Sequence, residues 1–166
     1  MAEELNLLAD AAVIGAGATI VMDMWAALRK RFFGVPTLDY ALVGRWIGHL
    51  FRGRFRHEAI ARSSPVSGER LIGWIAHYAT GVVFAMLLLF FWDREWAREP
   101  TLGPALVVGL ATVAAPFLVL QPAFGAGIAA SRTPHPNVAR LRSVLTHLSF
   151  GVGLYLSAWA LRLVRG

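Results

Sequence analysis

The 166-residue sequence contains no cysteine. That excludes disulfides, iron–sulfur clusters, thiolate zinc sites and covalently attached haem. It is also poor in charge: Asp, Glu, Lys and Arg make up 16%, against about 25% in an ordinary soluble domain. Hydrophobic residues reach 57%. The charge is missing in blocks. LIGWIAHYATGVVFAMLLLFFW (71–92) has no Lys, Arg, Asp or Glu, and none occurs from Thr101 to Ser131. No H-E-x-x-H metal motif, internal repeat or low-complexity segment is present. The N-terminal MAEELNLLAD is acidic, where a secretory signal carries positive charge. The first apolar segment is therefore expected to be a retained helix.

Four stretches have the length a membrane-crossing helix needs, about 20 mostly apolar residues. They cover about 9–28, 71–92, 102–130 and 143–163. The expected fold is all-α, an integral membrane four-helix bundle forming a single membrane domain over 1–166. Pro116 and Pro122 are expected to break or kink the third helix, because proline cannot donate to the helical ladder. DYALVGRWIGHLF (39–51) is too short to span. Its Leu42, Trp46, Ile47 and Leu50 recur at helical spacing, which predicts an amphipathic interfacial helix with Arg45 and Arg52 near lipid phosphates. Trp74, Trp92, Trp96 and Trp159 fall near expected helix ends, as in an interfacial aromatic belt.

The net charge of +6 and a pI near 11.0 fit nucleic acid on their face, but the distribution of the cations gives a better account. The 29–70 segment holds nine Lys and Arg, and the 131–142 segment holds three. The opposite side has four: Arg94, Arg98, Arg162 and Arg165. Lys and Arg mark cytoplasmic loops, so the basic loop 29–70 is expected in the cytoplasm and the N- and C-termini in the periplasm. The expected partners are the lipid bilayer and anionic lipid headgroups at the cytoplasmic face, with no nucleic acid. Four helices enclose a transport path only with help, so a homo-oligomer is expected if there is one.

GAGAT (15–19) looks like part of a dinucleotide fingerprint. That motif needs a preceding strand and a full G-x-G-x-x-G, whereas these glycines lie in an apolar helix, where small residues permit close helix packing. The ionisable residues carry more. Asp23 lies six residues before Arg29, His77 seven after Arg70 and His147 five after Arg142. At about 1.5 Å per residue, all three sit roughly 8–10 Å from the inner arginines. Each shares an i, i+4 stripe with small or hydroxylic residues: Gly15–Thr19–Asp23, Gly73–His77–Gly81 and Ser143–His147–Gly151–Tyr155. Such stripes mark helix contacts. A buried Asp/His/His layer is thus expected in the cytoplasmic half, with Gln121, Thr19 and Tyr155 as further polar lining.

Titratable groups inside a membrane pair with one another or line a polar path. The layer suits a proton relay or a proton- or metal-linked transport or binding protein. With His49 and His57 folding back from the loop, Asp23, His77 and His147 also form a ligand set for a transition metal. His77 and His147 on facing helices suit a b-type haem, hence a membrane-embedded metalloenzyme or haem protein acting on a lipid-soluble substrate. Without chemistry, the same residues join helices in a structural or assembly subunit. His135 in TPHPN reads as a loop residue.

MDMWAALRKRFFGVP (22–36), GRWIGHLFRGRFRHEAI (44–60), GWIAHYATG (73–81), QPAFGAGIAASRTP (121–134) and HLSFGVGLYL (147–156) resemble blocks of a bacterial inner-membrane, multi-pass family known as a domain of unknown function. The resemblance covers nearly the whole chain. It implies a small multi-pass protein of the bacterial cytoplasmic membrane and no particular catalytic residue.

Overall fold

The computed structural model describes residues 2–165, and among them there is no β-strand. Five helices carry the architecture: α1 (Ala2–Phe33), α2 (Tyr40–Leu50), α3 (Glu69–Trp92), α4 (Leu102–Ala123) and α5 (Pro136–Arg165). A single helical turn, Glu95–Arg98, joins α3 to α4. The segments Asn6–Phe33, Glu69–Trp92, Leu102–Ala123 and Pro136–Arg165 are each long and apolar enough to cross a membrane. The all-helical class and the four long apolar helices are as expected.

Four helix boundaries differ from expectation: α1 begins at Ala2 instead of 9, and the other three differ for local reasons. α1 runs past Leu28 to Phe33. Gly34 follows in the left-handed region at φ 62°, its N–H donating to the Lys30 carbonyl and that of Val35 to Arg29. This is a glycine C-cap, with Pro36 just beyond. α4 stops at Ala123 instead of 130. Gly125 and Gly127 take φ 92° and 75°, and the chain turns away in irregular structure. α5 begins at Pro136 instead of 143. Proline suits the first helical position, and the His135 carbonyl accepts from Ala139 N–H. Arg140 and Arg142 therefore lie on a helix and not in a loop.

The prolines act on α4 as expected. Regular helix holds over Leu102–Ala111, followed by a π-helical turn over Pro116–Leu120 in which the Gln121 N–H reaches back five residues to the Pro116 carbonyl.

The chain divides into two compact units. The first comprises residues 1–37, 78–112 and 146–166. Its core is apolar and fine-grained: Ala11, Ile14 and Ala18 of α1, Ala85 and Leu88 of α3, Ala105 and Val108 of α4, and Phe150, Leu154 and Ala158 of α5 are all buried. Trp96 is buried there too, its indole N–H donating to the Thr101 carbonyl at 3.1 Å. It is a core residue and not part of an exposed belt. Small residues set the helix spacing. A Cβ on Gly15 would stand 2.5 Å from the Val82 Cα, and one on Gly81 would strike the Thr19 hydroxyl. The GAGAT segment thus serves packing. At one end of this unit the buried Asp10 carboxylate pairs with Arg165 and, at 3.8 Å, with Arg94.

The second unit comprises residues 38–77 and 113–145. The Asp39 side chain caps α2 by accepting from Ala41 N–H. α2 meets the start of α3 at Gly44 and Gly73, where a Cβ on either would collide with backbone carbonyl of the other helix. The segment after α2 docks on the end of α4: the N–H groups of His57 and Ile60 donate to the carbonyls of Ala123 and Phe124.

Candidate functional site

In the first unit the Tyr78 hydroxyl donates to Asp23 at 3.3 Å, joining α3 to α1. Arg29 donates to the Thr146 hydroxyl at 2.8 Å, joining α1 to α5. His147 Nδ1 lies 2.9 Å from the Thr112 hydroxyl, whose own proton goes to the Gly109 carbonyl at 2.7 Å. With that proton committed, the hydroxyl accepts, so His147 Nδ1 carries a hydrogen. Thr19 is fully buried, but its hydroxyl bonds the Gly15 carbonyl in its own helix. Tyr155 packs beside the apolar core, edge-on to Trp159.

In the second unit His77 stacks on Tyr40 with ring centroids 4.0 Å apart and stands edge-on to Trp74. The Gln121 amide donates to the Ser143 hydroxyl at 3.2 Å. Among the described residues, no group of three or more His, Asp or Glu is placed to hold a metal ion. Asp23, His77, His147, His49 and His57 therefore do not contribute to any such group.

The densest polar arrangement is one the charge pattern does not reveal. Arg45, expected at lipid phosphates, turns inward. Its Nε and Nη2 donate to the two Glu69 oxygens at 2.9 and 2.8 Å, a bidentate pair. Its Nη1 donates to the carbonyls of Ala61 and Ser63 at 3.1 and 3.2 Å. Glu69 also accepts from the Val66 N–H at 2.9 Å. The Glu69 hydrogen bond holds the Arg45 guanidinium above its ordinary pKa, against the opposing effect of burial. Arg45 thus ties α2, the 60–63 turn and α3 into one body.

Two histidines rest in this framework. His49 and His57 are 3% and 8% exposed, with ring centroids 5.0 Å apart and planes at 73°. His49 Nε2 lies 3.0 Å from the Ser64 carbonyl. A carbonyl only accepts, so Nε2 carries the hydrogen and the neutral ring keeps its lone pair on Nδ1. His57 Nδ1 bonds the Ser63 hydroxyl at 2.9 Å. The other nitrogens, His49 Nδ1 and His57 Nε2, are buried and have no hydrogen-bond partner among the described residues. Burial first, then His49 and Arg54, pushes the His57 pKa below its ordinary value, with the Arg54 backbone acting the other way. His57 is thus neutral at pH 7.

These features define an all-helical protein with four helices apolar and long enough to cross a membrane, and a polar knot at the α2–α3 junction. Over residues 12–161 the chain matches the family described as protein of unknown function (DUF2938), and it belongs to that family. No curated protein and no solved structure matches it.

Proposed function

We propose that this is a multi-pass protein of the bacterial cytoplasmic membrane, with both termini in the periplasm, which carries out a proton-linked transport or binding step. The four apolar helices and the bias of Lys and Arg toward 29–70 and 131–142 support the location. So do the large apolar side chains on the outside of the spans, among them Met24, Leu71, Ile75, Phe90, Phe91 and Leu118, which form the surface that lipid covers.

The observation that carries the functional part is the placement of ionisable groups in these spans. Asp23 and His147 each lie within an apolar helix and each is oriented by a hydroxyl of a neighbouring helix. A carboxylate and an imidazole held in this way take up and release protons without a large rearrangement. The test is proton flux in vesicles carrying the purified protein under an imposed pH gradient. Asp23→Asn is expected to abolish flux while the protein stays folded. Flux unchanged by Asp23→Asn and by His147→Ala overturns the reading.

A second reading, that of an assembly subunit whose polar residues join helices, is favoured by the Arg29–Thr146 and Gln121–Ser143 bonds, which use the same cross-helix geometry. It predicts no flux in any variant and loss of thermal stability in proportion to the bonds removed.

A further inference from the structure

We propose that the segment 51–56, FRGRFR, is a docking surface for an anionic phospholipid of the membrane the protein occupies. Arg52, Arg54 and Arg56 hold the headgroup phosphate, and Phe51 and Phe55 meet the acyl region. The proposal rests on the membrane location inferred above and not on proton transfer, and its test depends on neither flux nor sidedness.

The backbone of this segment is fixed without help from those side chains. α2 closes in a Schellman turn: the Gly53 N–H donates to the Leu50 carbonyl at 2.9 Å and the Arg54 N–H to the His49 carbonyl at 3.1 Å. Gly53 supplies the left-handed residue this turn requires, at φ 73°. The Trp46 indole N–H then donates to the Phe55 carbonyl at 2.9 Å, with its ring edge-on to that of Phe55. Beyond them the His57 N–H donates to the Ala123 carbonyl. What this frame displays is unusual for a surface facing water. Phe51 is 89% exposed, more than any other large apolar residue among those described, and Phe55 is exposed as well. Arg52, Arg54 and Arg56 are exposed between them, and none joins a salt bridge among the described residues.

Charge and apolarity together select the partner. Guanidinium is weakly hydrated and binds phosphate through a planar fork. Basic residues beside anionic headgroups add affinity, and aromatic side chains interleaved with them are the composition of interfacial segments. A soluble anion uses the arginines and leaves Phe51 in water, whereas a phospholipid covers both. The positive charge is not cancelled locally. Glu58 is the one acidic residue between 51 and 68, and Arg62 adds a fourth cation. Arg45, which the amphipathic pattern directs to lipid, is neutralised by Glu69. The role expected of Arg45 thus passes to the arginines just beyond its helix. In the same unit the chain then enters α3 at Glu69, where Leu71 and Ile75 are already exposed apolar residues of a candidate span.

The test is titration of the full-length protein, in a mild non-ionic detergent, with phosphatidylglycerol and in parallel with phosphatidylcholine of the same chains. Bound lipid is counted by native mass spectrometry. Phosphatidylglycerol is expected to bind in preference. One arginine at an anionic surface is worth about fivefold, so Arg52→Gln/Arg54→Gln/Arg56→Gln should weaken phosphatidylglycerol roughly 100-fold and leave phosphatidylcholine unchanged. Lys30→Gln/Arg31→Gln/Arg132→Gln removes equal charge from exposed positions elsewhere and should lose far less. Phe51→Ser should weaken the lipid without changing competition by glycerol phosphate, which has no acyl chain. Equal losses in the two triple variants overturn the proposal, and so does a Phe51→Ser protein that binds as the unsubstituted one does. Inorganic phosphate binding as tightly as the lipid would assign the arginines to a free anion, and tighter binding of a polyglutamate peptide would assign them to an acidic protein; either result overturns it. Where a variant fails to fold, the unsubstituted protein decides, since no preference for phosphatidylglycerol is equally fatal. Absent lipid preference with Asp23-dependent flux intact would sink this inference and leave the transport reading standing.

Discussion

The two units of the molecule are held together in opposite ways. The buried apolar cluster lies wholly in the first unit, with Ala11, Ala18, Ala85, Ala105 and Ala158 packed among the larger Ile14, Leu88, Phe150 and Leu154. Its helices approach until only a hydrogen fits at Gly15. The second unit buries little apolar surface, chiefly Ile60, Val113, Ala123 and Ala130. Arg45, Glu69 and the carbonyls of residues 60–63 specify it instead. Helices in lipid gain little from hydrophobic burial against one another, so packing must do the work. A segment rich in arginine folds by satisfying its charges and backbone. The division separates two ways of fixing a fold: close steric packing in the first unit and charge-assisted hydrogen bonds in the second.

The comparison is sharpest at Arg45. Arg45→Ala leaves Glu69 half-buried without its cation and strips donors from two carbonyls. Breaking such a pair costs about 3 kcal/mol, and the loss should appear as a lower thermal midpoint in detergent together with proteolysis confined to residues 51–68. A stability unchanged by Arg45→Ala would mean the second unit is not held by this network. In the first unit the corresponding change is steric. Gly15→Ala forces a methyl against the Val82 backbone and should cost about 1–3 kcal/mol, as overpacking does. Gly103→Ala, where a Cβ meets nothing within 4 Å, is the matched control and should cost far less.

The units should also differ in their response to acid. The His57 pKa is lowered by burial, so between the folded value and the unfolded value of about 6.5 the unfolded chain binds more protons. Stability then rises with pH through that window. It is fully present above about 6.5 and is lost as pH falls below it. On acidification the protection factors of amides in 51–68, which correct for the slower intrinsic exchange in acid, should fall, and those in Ala11–Ala18 should not. The acid sensitivity should disappear in His57→Gln. An acid response spread evenly over both units would break the distinction.

Much of the fold is legible in composition, because a run of about 20 apolar residues has few alternatives. The errors arose where apolarity alone set a boundary. FFGVP carries a glycine cap followed by proline, and PHPN carries a proline suited to a first helical turn; both were readable stop and start signals. The end of α4 was harder, since FGAG continues the apolar run and only the positive φ of Gly125 and Gly127 stops it. The site was less legible. Asp23, His77 and His147 stood out because charge is rare in such helices, yet depth along a helix says nothing about which neighbour a side chain meets. Asp23 meets Tyr78 and His147 meets Thr112. The amphipathic pattern of 39–51 directs Arg45 to lipid. Its partner Glu69 is 24 residues away, a pairing no local pattern encodes. Asp10 stands in an acidic N-terminal stretch that gives no sign of its pairing with Arg94 and Arg165.

The smallest expected effect tests whether depth was informative at all. His135 is exposed at the start of α5, and only its backbone carbonyl serves as a partner, for Ala139. His135→Ala keeps that carbonyl and should change stability by no more than about 0.5 kcal/mol, as surface substitutions do. Asp23→Asn keeps the shape of the side chain but replaces a carboxylate acceptor of the Tyr78 hydroxyl by a neutral one. A charge-assisted bond is roughly twice as strong as a neutral one, so the loss should be about 1 kcal/mol. Thermal unfolding of the two variants side by side gives the ranking. Equal effects would show that Asp23 owes nothing to its charge in the folded state, and the reading of the first unit as more than a packed scaffold would lose its main support.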